Sequence, residues 1–139
     1  MRKMFFISLI ITGFVISSCS ENVTESESSE KYLYKSYDTT GAKIVEGWLT
    51  INYQDNMEIT GRWDLDKVGN PANIGPQVGN GNLIGGLNSD KTWIELNPEY
   101  RDNNLQLLGT IQQGKFFGEW QFISFAGVTN YGKFEAVKQ

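Results

Sequence analysis

From Lys31 onward the chain carries no sustained 3.6-residue apolar period; apolar and polar positions alternate instead, the two-residue rhythm of strands with one buried face. Six segments share the pattern apolar-x-Gly-x: 45–49 (VEGWL), 59–65 (ITGRWDL), 83–87 (LIGGL), 107–111 (LLGTI), 116–122 (FFGEWQF) and 132–136 (GKFEA), the last without its leading apolar residue. Interior strand glycine costs stability and marks bends or close backbone approach, so its repetition predicts strong curvature.

Turn lengths test this, because opposed residues of an antiparallel pair share a face. A two-residue turn at Gln113-Gly114 opposes Ile111 to Phe116, Gly109 to Gly118 and Leu107 to Trp120. One at Ser89-Asp90 opposes Leu87 to Thr92, Gly85 to Ile94 and Leu83 to Leu96. Centring a hairpin on Gln54 pairs Leu49 with Ile59 and Gly47 with Gly61; centring another on Gly127 pairs Trp120 with Phe134 and Phe122 with Gly132. Every one of these turns keeps the apolar sets together. The predicted strands lie near 31–38, 43–53, 57–65, 82–88, 91–97, 104–112, 115–125 and 129–137. The fold class is therefore all-β, an eight-stranded antiparallel up-and-down barrel, with a β-sandwich as the alternative.

The inward set is Leu49, Ile51, Ile59, Trp63, Leu65, Leu107, Ile111, Phe116, Trp120, Phe122 and Phe134. Glycines 47, 61, 85, 109, 118 and 132 share that face and are expected to leave room for large rings entering from across the barrel. The interior should be mostly filled. A turn at Thr40-Gly41 points Tyr32 and Tyr34 inward beside Gly47, so any ligand space is expected near those two phenols.

Upstream of the barrel the pattern changes. Residues 1–18 run from a cationic start (Arg2, Lys3) through an apolar stretch, Met4 to Val15, too short to span a bilayer core, and read as a secretory signal. Ile16-Ser17-Ser18-Cys19 resembles the lipobox of bacterial lipoproteins, and the resemblance covers the first 19 residues. It implies cleavage before Cys19, acylation of that residue and anchoring in a membrane by buried acyl chains. Ser20 rather than Asp after the Cys implies the outer membrane. Residues 19–30 form an acidic segment with four glutamates and only Val23 apolar beyond the Cys, expected to be a disordered tether of roughly 18 Å reach. Residues 31–139 form the domain.

Composition then narrows the chemistry. The 139 residues hold no His and one Cys, which excludes a histidine-based triad, a histidine or multi-cysteine metal site and an internal disulfide. With 12 basic against 16 acidic side chains, nucleic acid is not an expected partner. Glu58, Asp64, Glu119 and Glu135, with Arg62 and Lys133, alternate opposite the apolar positions and should face water rather than form the carboxylate pair of a glycoside hydrolase. Asp64, Asp66 and Asn70 offer oxygens to Ca²⁺ but too few for a calcium loop. No metal, cofactor or catalytic residue is expected.

Two connections are long. Residues 66–81 (DKVGNPANIGPQVGNG) are either a functional loop or a plain crossover, and 97–103 carries Tyr100 and Arg101 at its tip as a contact point for a partner. On the face opposite the glycines, Trp48, Trp93, Phe117, Ile123, Phe125 and Tyr131 interrupt the polar pattern and offer an exposed apolar patch. Candidate ligand-binding residues are thus Tyr32, Tyr34, Tyr100, Arg101, Trp48 and Trp93.

Thr60-Gly61-Arg62-Trp63 and Gly118-Glu119-Trp120, within the strand-rich span 43–137, resemble signatures of the small barrels of the avidin and lipocalin group. Their place in strands three and seven departs from the lipocalin pattern, which has Gly-x-Trp in the first strand, and the absence of a final helix is closer to avidin. The resemblance implies architecture alone and carries over no biotin-contacting residue. The expected function is a lipid-anchored, extracytoplasmic, non-catalytic binding or interaction module whose partner is a protein, a glycan or a small apolar ligand. A lipocalin-like carrier is the alternative, and a carboxylate-dependent hydrolase the remoter one.

Overall fold

The computed structural model describes residues 28–88 and 91–139. The expected signal, Cys19 and the residues up to 27 lie outside the described residues, as do Ser89 and Asp90 of the expected turn. Eight strands follow in order: β1 (Ser28–Tyr37), β2 (Lys43–Tyr53), β3 (Glu58–Lys67), β4 (Gly79–Asn88), β5 (Lys91–Leu96), β6 (Asn103–Gln112), β7 (Lys115–Ser124) and β8 (Gly127–Lys138). Each pairs antiparallel with the next and β8 pairs with β1, closing the barrel with no free sheet edge between them. Strand β1 begins three residues earlier than the alternation suggests, because Ser28, Ser29 and Glu30 pair with Tyr53, Asn52 and Ile51.

The register gives the tilt. From Ser28 the pairs pass through Tyr53, Ile59, Gly85, Ile94, Leu107, Trp120 and Gly132, and one step beyond Tyr37↔Lys133 returns the path to Asp38, ten residues along β1. At ~3.3 Å per residue and ~4.8 Å between strands, that stagger tilts the strands by roughly 40° to the barrel axis. Strands so tilted must coil, and the glycine pattern is where they do. A β-carbon would fall 1.9 Å from the Thr50 carbonyl oxygen at Gly61, 2.2 Å from that of Asp64 at Gly47 and 2.1 Å from that of Phe117 at Gly109. Gly85, Gly118 and Gly132 meet a neighbouring strand's carbonyl oxygen in the same way. Backbone is thus the nearest neighbour at all six, and Gly132 also takes the Trp120 indole from the adjacent strand, so close backbone approach rather than ring space accounts for most of the repetition.

Indoles use glycine differently. Trp63 lies beside its register partner Gly81, Trp93 beside Gly86 and Trp120 beside Gly132, each against the bare Cα of an opposed glycine.

Two hairpins differ from the predicted register. Leu49 opposes Trp63 and Gly47 opposes Leu65, because the β2–β3 turn spans Gln54 to Met57, with Met57 at φ 66° and the Asn56 side chain accepting from the Glu58 amide. Trp120 opposes Gly132 and Phe122 opposes Asn130, because a bulge between Phe122 and Ile123 and a tight turn into Gly127 take up residues. Both shifts are even, so the inward face survives. The pairings about Gln113-Gly114 and those flanking residues 89 and 90 are as expected, with Gln113 and Gly114 both at positive φ.

The core is the inward set. Leu49, Ile51, Ile59, Trp63, Leu65, Leu107, Phe116, Trp120 and Phe134 are buried, joined by Leu83, Ile94, Leu96 and Leu105, while Ile111 and Phe122 pack against them half-buried. Phe116 meets Phe134 edge-on, with ring centroids 4.7 Å apart. Charged side chains such as Lys31, Arg62, Asp64 and Lys133 point outward and are exposed, the reverse of the apolar-out alternation of a membrane-spanning barrel.

Candidate functional site

The barrel has two ends, and its inward tyrosines serve both. At the end where β1 begins, Tyr32 donates to a Glu30 carboxylate oxygen at 2.6 Å and bonds the Tyr53 hydroxyl at 3.0 Å, while Lys138 pairs with the same carboxylate. Burial alone would raise Glu30; the bonds from Lys138 and Tyr32, with the Lys138 charge, outweigh it and hold the carboxyl below its ordinary range. Burial, reinforced by the bonds to Glu30 and Tyr53, pushes the Tyr32 phenol far up, so it stays neutral and donates. This cluster joins the first strand to the last at the closing seam. Each of its polar groups is spent on another.

At the opposite end the long connection folds into the mouth instead of running over the surface. Val68 donates to the Ile44 carbonyl at 2.8 Å, Ile74 is buried, and Gly75 stands against the Phe122 ring, where a β-carbon would come within 2.6 Å. Gln77 is fully buried, its Nε2 donating to the Ile74 carbonyl at 2.8 Å. Its Oε1 accepts from Ser36 at 3.0 Å and Tyr34 at 3.3 Å. Asn130 donates to the Asn73 carbonyl at 2.7 Å and ties the loop to β8. The loop is a plug, and the Tyr34 hydroxyl holds it. Desolvation raises the Tyr34 phenol well above its ordinary value, which keeps that donor in place.

Tyr32 and Tyr34 are thus inward and fully buried as expected, but their hydroxyls reach opposite ends and belong to two structural networks. Tyr100 and Arg101 are exposed in the loop after β5, which closes on its own hydrogen bonds, Tyr100 N–H to the Asn97 carbonyl and Asn97 Nδ2 to the Asn103 carbonyl. Trp48 lies on the outer face of β2 with the Lys31 ammonium 4.0 Å from its ring centroid. Trp93 lies on the outer face of β5. The six candidates therefore occupy five places rather than one. Gln77, Glu30, Tyr53 and Lys138 are the side chains that the sequence reading passed over; only the two-residue rhythm, carried from Ile51 to Tyr53 and from Tyr32 back to Glu30, signals two of them.

The continuous surface feature is around Trp93. Trp93 opposes Leu108 in register; Ile84 lies diagonal to it across β4, and Phe117 diagonal to Leu108 across β7. All four are exposed by a third or more, an apolar strip across the outside of β4 to β7. Two grooves flank it, about 570 Å³ beside Trp93 and about 780 Å³ beside Phe117, and they meet at Gly109, Thr110 and Gly118. Of the oxygens weighed for a cation, Asn70 Oδ1 accepts from Lys67 at 3.1 Å. Among the described residues no cluster of three His, Cys, Asp or Glu could hold a metal.

Fold and surface together define a small up-and-down barrel with a packed interior and an aromatic outer wall. Comparison with family models, with curated proteins and with solved structures finds no match to this chain.

Proposed function

We propose that the protein is a lipid-anchored extracytoplasmic binding module that engages its partner on the outer wall of the barrel rather than inside it. One contrast carries the reading: Trp63 and Trp120, the rings a carrier would turn toward its ligand, are 6% and 0% exposed, whereas Trp93 lies on the surface at 36%. The plug at Gln77 and the Glu30–Lys138 pair across the other rim favour the same side of the choice. A hydrolytic role is the weaker reading because the outer-face carboxylates serve as structural partners, Glu119 accepting from Lys133 at 2.6 Å and Glu135 from the Tyr37 hydroxyl at 3.0 Å. The anchor rests on the lipobox-like run ending at Cys19, and the outer membrane on Ser20. By the likeness of Thr60-Gly61-Arg62-Trp63 and Gly118-Glu119-Trp120, the barrel is read as an architectural relative of the avidin and lipocalin group.

Cys19→Ser tests the anchor. The variant should leave the membrane fraction or accumulate as unprocessed precursor on a denaturing gel, and normal membrane retention with normal processing would refute it.

A further inference from the structure

The apolar strip on the outer wall has a level and a direction. In an up-and-down barrel the turns alternate between two ends, and the end where β1 begins at Ser28 also holds the Gln54–Met57 and Gln113–Gly114 turns. Carried around the barrel at the observed registers and tilt, Ile84, Trp93, Leu108 and Phe117 all come to roughly 10–13 Å above Ser28, on a barrel of about twice that height. Met57 and Leu87, exposed and joined by the Leu87 N–H to the Met57 carbonyl at 2.9 Å, extend the apolar surface to that rim. Charges around the strip cancel: Lys91 and Glu95 bracket Trp93, Lys115 and Glu119 bracket Phe117, Glu58 and Arg62 stand on β3, and the outward faces of β4 and β6 carry none. The opposite end is acidic, with Asp38, Glu46, Asp64, Asp66, Glu99 and Asp102 against Lys43, Lys67 and Arg101.

Size decides what such a surface can hold. An aromatic side chain has about 150–250 Å² to bury, so exposure of a third or more at four apolar side chains leaves a few hundred Å², well below the ~800 Å² per partner of a stable protein complex. That suffices only for a surface already held within reach. The anchor supplies one: residues 19–27 span at most about 30 Å and join the barrel at Ser28, on the end nearer the strip. Trp93 suits an interface, because its ring lies against the bare Cα of Gly86 and its N–H donates to no group among the described residues, whereas those of Trp63 and Trp120 donate to the Asn82 and Tyr37 carbonyls. We propose that the barrel rests with its β4–β7 wall on the bilayer that holds its anchor, with Trp93 and Phe117 among the lipid headgroups and the acidic end turned away. It lies on the membrane without crossing it. The inference rests on the lipid-anchor and outer-wall reading and names the partner as a lipid surface.

The test places the processed, acylated chain in phosphatidylcholine vesicles and compares its tryptophan fluorescence with that in vesicles whose lipid is brominated near the top of the acyl chains. Bromine should quench the parent chain, and because the charges cancel, added salt should change the quenching little. Trp93→Phe should lose most of it, whereas Trp48→Phe, on β2 at the far side of the barrel, should keep it. Leu108→Gln with Phe117→Gln retains the indole but removes its apolar neighbours and should also lower the quenching, with urea midpoints near the parent's showing that the variants fold. Equal quenching of Trp93→Phe and the parent, or loss with Trp48→Phe instead, would overturn the proposal. So would a Trp93 that stays open to aqueous acrylamide on vesicles, which would leave the wall to a protein or glycan. In these outcomes a chain that floats with the vesicles keeps the anchor reading, and fatty-acid uptake by the interior tests the outer-wall reading separately. A chain that does not float overturns the anchor and this inference together.

Discussion

Replacing Trp120 with alanine is expected to cost about 3–5 kcal/mol, the range of large aromatic deletions from a packed core. The ring is fully buried, and it acts on three strands at once. From β7 it lies against its partner Gly132 on β8, and its Nε1 crosses that strand to donate to the Tyr37 carbonyl of β1 at 2.8 Å. That places it over the β8–β1 seam, the pairing that turns a meander into a barrel. Alanine would leave a cavity and a carbonyl without its donor, so the loss should sit toward the upper end of the range. Urea unfolding checks it: the midpoint should fall steeply, and a midpoint within about 1 kcal/mol of the parent would show that the seam does not depend on the ring.

Gly118→Ala should be nearly as damaging although it adds a single carbon. That carbon would lie 2.0 Å from the Leu108 carbonyl oxygen and 2.6 Å from the Gly109 Cα, and neither atom can turn away as a side chain would. Relief requires β6 and β7 to separate where they are hydrogen-bonded, at about 3 kcal/mol, the upper end of overpacking costs. Gly81→Ala provides the comparison: the nearest atoms to its β-carbon would be those of the Trp63 side chain, at 3.0 Å and beyond, and the smaller adjustment should cost clearly less. Equal midpoints for the two variants would contradict the assignment of the glycine pattern to backbone contact.

These two residues also show how far the sequence could be read. Facing is a matter of parity, and parity is robust. The β2–β3 and β7–β8 hairpins pair four and two residues away from the alignment that the apolar pattern favours, yet Leu49, Trp63, Trp120 and Phe134 still point inward because both displacements are even. Register depends instead on turn details such as Met57 at positive φ and the bulge at Phe122, which leave little trace in the hydropathy pattern. The purpose of the glycines was legible only as curvature. Whether a missing β-carbon admits a ring or a neighbouring carbonyl depends on strand stagger, which appears once all eight registers are combined. Gln77 was hidden for a different reason. In a run of Gly, Asn and Pro a glutamine looks solvated, and nothing local indicates that Ser36 and Tyr34 wait for its oxygen. On the outer wall Trp93 and Trp48 were visible as breaks in the polar alternation, whereas the seat on Gly86 and the strip with Ile84, Leu108 and Phe117 follow from the observed pairing.

The central claim, a filled interior with recognition moved to the outside, can be read from the two interior tryptophans alone. Trp48→Phe with Trp93→Phe removes both outer indoles and leaves Trp63 and Trp120 as the fluorophores. Titrated with laurate, palmitate and stearate, this variant should keep its emission spectrum and intensity unchanged up to ligand excess, because the volume those rings face is already occupied by Leu49, Ile51, Leu107 and Phe116. A saturable change that reaches its plateau at one fatty acid per chain would contradict it and make the barrel a carrier.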